Sequence, residues 1–294
     1  MTRTKTAGRS SNGQPVRRMS RADRADLRLA CDYLEHPSLA ARLTSVIGQP
    51  MEEGLRLLPH TWYHRMHDAA ESAIGSALDV ALRSLPTSGN GASRDGLHRA
   101  LGIGSGAVGG FFGLPGALLE LPVATTLILR SVADIARSEG EDFAAPQARL
   151  ACVEVFAYGG RPANDDAAET GYYGLRLALG FHFSMVSRQL VEQGLAQRAL
   201  PATIGLVRAI AARFGVAVSD KLAFQLVPVA GAVGGAVVNA IFMRHFQDMA
   251  RGHFVVRRLE RSYGQPRVQR AYARVRREQT ERLRSRRRVI RGVD

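Results

Sequence analysis

Two glycine-rich apolar blocks constrain this chain more than any other feature. Residues 101–129, LGIGSGAVGGFFGLPGALLELPVATTLIL, carry one charge, Glu120. Residues 222–243, LAFQLVPVAGAVGGAVVNAIFM, carry none. Gly102, Gly106 and Gly110 are four apart, as are Gly109 and Gly113. In the second block Gly231, Gly235 and Asn239 keep the same spacing. On a helix this lines small residues along one stripe, where a second backbone can come close. Glycine costs roughly 1 kcal/mol against alanine in a helix interior, so this many glycines need a packing reason. The expectation is two helical elements packed on each other.

Those elements fit either a bilayer or a protein core. The second block has 22 uncharged residues, enough at about 1.5 Å per residue to cross a hydrocarbon layer. Pro115, Pro122 and Pro228 interrupt the blocks, so a re-entrant hairpin of two half-length segments fits as well as two spans. A buried helix pair in a soluble domain is the competing reading, and the mean hydropathy of −0.09 allows it.

The rest of the chain also reads as helix. Leu27, Ala30, Cys31 and Leu34 fall at helical spacing from about Arg21. The His36-Pro37 step should end that helix, and a short one follows to Ile47. Pro59 suits the first position of a helix running to about Leu85. After the first block, Ala124, Leu127, Ile128, Val132 and Ile135 form a face, and Gly140 is a plausible stop. Helices are expected at 145–157, ended by Gly159-Gly160, then at 169–194, 201–214 and 240–263. Strand-like alternation is scarce. The predicted fold is all-α: a disordered basic tail over 1–22, a single helical domain over 23–264, and an Arg-rich tail over 265–294. That last tail reads as a frayed or conditional helix with a weak apolar face of Val268, Tyr272 and Val275.

Charge separates the tails from the body. Of the net +14, residues 1–30 hold +6 and residues 251–294 hold +11, which leaves 31–250 at −3. Basic ends favour polyanions. Anionic lipid is the preferred partner. Nucleic acid is the rival, weakened by the scarcity of aromatics among the arginines and by the lack of a recognition motif. Cys31 and Cys152 build no disulfide framework, so a reducing compartment is the default. Residues 1–28 show no apolar signal region. Nothing in the chain specifies an oligomeric state.

Chemical motifs are few. Residues 104–109 spell GxGxxG, but no strand precedes them and no acidic residue follows at ribose-binding distance, so no cofactor is expected. His60, His64, His67 and Glu71 share one helical stripe about 16 Å long. His64 and His67 are the pair able to share a metal, although the polar face of an amphipathic helix explains the stripe equally, and no metal site is assigned. His245 and His253, eight apart, read as core histidines. Asp134 sits between Arg130 and Arg137 on a compensated face. Glu120 lies within the apolar block, where a carboxylate must pair or become protonated. Lys221 and Arg244 are possible partners. The acid/base candidates are Glu120, Asp134, Glu154 and His253.

The run GFFGLPGALLELPVATTLILRSVADIARSEGED (110–142) resembles the EcsC protein family. So do RLACVEVFAYGG (149–160), GYYGLRLAL (171–179) and the long run from Arg213 to Gly264. The resemblance covers most of residues 30–264. It implies a bacterial, helical protein, of a family named for a gene beside an ABC-transporter pair and without an established activity. Family-characteristic positions are Glu120, Pro122, Arg130, Asp134, Glu154, Lys221, Pro228, Gly231, Asn239, Phe242, His253, Arg257 and Glu260. The functional expectation is a membrane-associated, non-enzymatic helical protein of the bacterial cytoplasm or the cytoplasmic face of the inner membrane. A hydrolase-type acid/base site is the alternative, and nucleic-acid binding through the Arg-rich tail is the third.

Overall fold

A computed structural model describes residues 18–35, 38–47, 61–85, 113–160, 171–193, 201–226 and 231–291. Among the described residues there are nine α-helices and no strand. They are α1 (Arg21–Glu35), α2 (Leu39–Ile47), α3 (Thr61–Ser84), α4 (Gly113–Ser138), α5 (Pro146–Gly159), α6 (Tyr172–Gln193), α7 (Pro201–Leu226), α8 (Gly231–Tyr263) and α9 (Gln265–Arg291). The all-α expectation holds.

Local chemistry sets several boundaries. Ser20 opens α1: its hydroxyl accepts from the Asp23 amide at 3.0 Å and donates to the Asp23 carboxylate at 2.6 Å. This occupies an amide that the first turn leaves free. Gly140 ends α4 at φ 77°, a left-handed conformation that suits glycine. The Glu141 amide then reaches Ala136 O, and the Gly140 amide reaches Arg137 O.

The centre is built by α5, α7 and α8. Every residue from 150 to 159 is buried. Among the described residues, α7 and α8 each pack against most of the other helices. Phe156 of α5, Phe214 of α7, and Phe242 and Phe246 of α8 form one aromatic cluster. Gly159-Gly160 does more than stop a helix. A Cβ on Gly160 would lie 1.8 Å from the Arg213 carbonyl oxygen of α7. The glycine lets the end of α5 touch that backbone.

Pro122 does not interrupt the first block, contrary to expectation. α4 runs through it, and the hydroxyls of Thr125 and Thr126 donate to the carbonyls of Leu121 and Pro122. Proline removes one backbone donor and adds a ring clash; a helix held on several sides tolerates both. The second block is divided: its first residues end α7, and Gly231 begins α8. Pro228 lies outside the described residues. Among the described residues, one helix is long and apolar enough to cross a membrane by length and composition, residues 202–224 of α7. The Arg-rich tail is helical from Gln265 to Arg291, and Val268 and Tyr272 of α9 are buried. Of the expected disordered tail over 1–22, residues 1–17 lie outside the described residues, and Arg21 and Ala22 already belong to α1.

Candidate functional site

Glu120 and Lys221 meet in the core. Their side chains come from α4 and α7, 3.7 Å apart and almost completely buried. Asn239 of α8 donates its amide to Glu120 Oε1 at 3.0 Å, and the Lys221 ammonium lies 5.1 Å from the centre of the Phe242 ring. Burial lowers the pKa of Lys221, while the Glu120 charge opposes that shift. Lys221 is thus the partner of Glu120, and Arg244 is exposed. The Asn239 hydrogen bond joins the two glycine-rich blocks where α4 packs on α8. Gly113 and Gly231 are the first residues of those helices, and Gly235 lies in the second turn of α8. Gly102, Gly106 and Gly110 lie outside the described residues.

A second buried group gathers around His253, which faces α5 and α6 from α8. Glu154 Oε2 is 3.8 Å from His253 Nε2. The Tyr172 hydroxyl and His253 Nδ1 share a 2.9 Å hydrogen bond, and the Tyr158 hydroxyl donates to Glu154 Oε1. Burial works against the charged form of both groups. Burial raises the Glu154 carboxyl. It also pushes the imidazole well below its usual range, and the Arg257 and Arg176 guanidiniums push it further.

Carboxylates anchor the arginines around this group. Arg176 Nη1 donates to both oxygens of Glu260, at 2.9 and 2.8 Å. Arg257 grips Glu141 through two bonds of 2.8 and 2.9 Å. Glu35 ties three elements together: it accepts from the Tyr172 amide and the Tyr272 hydroxyl, and lies 3.4 Å from Arg276. A cleft of about 620 Å³ opens above Glu154, lined also by Tyr173, Arg176, Leu177, Phe183 and Arg257.

Of the four acid/base candidates, then, Glu154 and His253 come together, and Glu120 is committed to Lys221 and Asn239. Asp134 is partly exposed and accepts from Arg137 one turn on, at 2.7 Å. His64 and His67 are exposed. His67 lies 3.8 Å from Glu71, which also accepts from Arg208, while His60 lies outside the described residues. Among the described residues no three His, Cys, Asp or Glu side chains are placed to hold a metal. His245 donates to the Gly159 carbonyl at 2.8 Å and is buried. The residues that sequence reasoning missed are Glu35, Tyr158, Tyr172 and Arg176. Buried tyrosines and a helix-terminal glutamate look like ordinary surface or core residues until their neighbours are known.

One face of α6 is apolar and open to solvent. Leu177 is 81% exposed and Phe181 68%, with Met185 next in the same row. Ile204 of α7 is also exposed.

The fold and these contacts define an all-α protein whose long helices are pinned by buried acid–base pairs. The chain belongs to the EcsC protein family, whose sequence model matches residues 35–259. That span holds Glu120, Glu154, Lys221, Asn239 and His253; Glu260 and α9 lie beyond it. No curated protein and no solved structure matches the chain.

Proposed function

We propose that this protein is a peripheral membrane-surface protein of the bacterial cytoplasm, resting on the cytoplasmic leaflet of the inner membrane. The apolar row on α6 carries the reading. Leu177, Phe181 and Met185 stand at i, i+4 and i+8, all exposed. Apolar surface left in water is unfavourable by about 25 cal/mol per Å², and a helix lying in the interface plane buries such a row among lipid headgroups. The net charge of +14 adds attraction to anionic lipid. Insertion of α7 as a crossing helix fits less well, since that helix packs on several others and its Lys221 is paired with Glu120 in the core.

Sedimentation with vesicles of phosphatidylcholine and phosphatidylglycerol tests the reading. The full chain should pellet with them. The variant L177S/F181S/M185S, with unchanged circular dichroism, should bind at least tenfold more weakly, as the loss of several partly buried apolar side chains implies. A wild-type chain that stays in the supernatant with every vesicle composition ends the proposal.

A hydrolase-type site keeps one observation in its favour: Glu154 and His253 meet beside a cleft. Turnover of chromogenic ester or phosphate substrates that disappears in E154Q would support it. No turnover by the pure chain would remove it.

A further inference from the structure

Five arginines line a single groove of about 550 Å³ between α1 and α9: Arg24, Arg28, Arg267, Arg270 and Arg274. On α1 they are four apart, and on α9 they stand at i, i+3 and i+7, so each set occupies one helix face. The only acid in the lining is Glu278. None of the five arginines has a carboxylate within ion-pair distance among the described residues. The two acids of α1 nearest Arg24 are engaged elsewhere, while Asp32 stands one turn beyond Arg28. Asp26 accepts from Arg258 at 2.7 Å, and Asp23 accepts from Tyr263 at 2.6 Å and from Arg258.

The folded chain thus brings five permanent positive charges together that the extended chain keeps apart. The scaffold holding them is firm. Tyr272 and Arg276 of α9 engage Glu35 of α1, and Gln279 donates to the Arg28 carbonyl at 3.2 Å. Like charges this close repel. A bound anion relieves the repulsion, and the planar guanidinium fork matches a phosphate by paired hydrogen bonds.

We propose that this groove is a binding site for the phosphodiester headgroups of anionic phospholipid. The inference rests on the membrane-surface reading above. Three features favour lipid over nucleic acid. No aromatic ring lines the groove for base stacking. Its floor is apolar, with Leu27, Ala271 and Val275. The α9 arginines extend only about 10 Å along the helix, room for one or two phosphates rather than a strand.

The test uses the full chain with vesicles of phosphatidylcholine alone and of phosphatidylcholine with phosphatidylglycerol. R28Q/R270Q/R274Q is compared with R130Q/R244Q/R277Q, which removes equal charge from exposed arginines outside the groove. Thermal melts check that both fold. The groove variant should lose affinity for the anionic vesicles by about a hundredfold, and the control by less than threefold. Binding to neutral vesicles should be unchanged in both. Equal losses in the two variants would overturn the groove and leave the membrane reading standing. Wild-type protein that binds neither vesicle would overturn both. Calorimetry with inorganic phosphate, and anisotropy with a labelled oligonucleotide, separate the other sources. A groove-dependent preference for either one over vesicles would overturn the lipid assignment.

Discussion

Glu154 and His253 show how one buried environment acts on an acid and a base. Burial raises the carboxyl and lowers the imidazole, so the charged form of each is disfavoured and their linkages to folding have opposite signs. For Glu154 the folded state holds its proton at pH values where the unfolded chain has lost it. Its contribution is therefore fully present below about pH 4.5, the ordinary value, and is lost as pH rises towards the raised folded-state value. Glutamine has no such penalty. E154Q should therefore melt at the wild-type temperature near pH 4.5 and above it at pH 8, by up to about 1.4 kcal/mol per pH unit of the window. A constant difference across pH would show that folding leaves the Glu154 pKa unshifted. His253 acts the other way, losing stability as pH falls below 6.5. The Glu120–Lys221 pair calls for a different experiment. Leaving Glu120 without its ammonium in the core should cost about 3–5 kcal/mol, whereas replacing both ends should recover most of that. In urea unfolding, K221M should be much less stable than E120Q/K221M. Additive losses would mean that the two charges do not interact.

At the scale of elements, close backbone contacts decide where helices can sit. The end of α5 reaches α7 because Gly160 has no side chain at a point 1.8 Å from the Arg213 carbonyl oxygen. The obstacle is backbone, so it cannot swing aside as a side-chain tip would. G160A should cost about 3 kcal/mol, at the upper end of overpacking effects, while alanine at Gly75, where a Cβ meets nothing within 4 Å, should be neutral or stabilising. Parallel thermal melts compare the two. A Gly160 variant as stable as the Gly75 one would mean that the α5–α7 contact relaxes freely. The same scale explains α9. Its sequence is overwhelmingly polar, yet Val268 and Tyr272 are buried and Tyr272 ends on Glu35. Two anchors and a carboxylate acceptor dock a helix whose remaining surface is rich in arginine.

For the whole molecule, placement of α7 separates peripheral from inserted association. Residues 202–224 pass for a membrane span on composition, but α7 supplies Phe214 and Lys221 to the core. Moving it into lipid would break the aromatic cluster and strand Glu120. Carbonate at high pH should accordingly strip the protein from membranes, and high salt should remove the part held by arginine–phosphate attraction. Resistance to carbonate would require α7 to leave the core. The helical periodicity of α1, the glycine stop of α4 and the all-α class were legible in the sequence, because they depend on local spacing and backbone preference. Glu120 could be recognised as needing a partner, since an acid among apolar neighbours cannot stay alone. Choosing Lys221 over Arg244 was not a local matter: it depended on which face of α7 meets α4. Likewise, nothing near Glu154 in the chain points to His253 or Tyr172, and Arg24 lies more than 240 residues from Arg267. By itself the sequence determined the helices and the distribution of charge, because these follow from neighbours along the chain. Only the tertiary structure decided which buried groups neutralise one another and which arginines share a groove, because charge and hydrogen bonding act through space between helices that packing alone brings together.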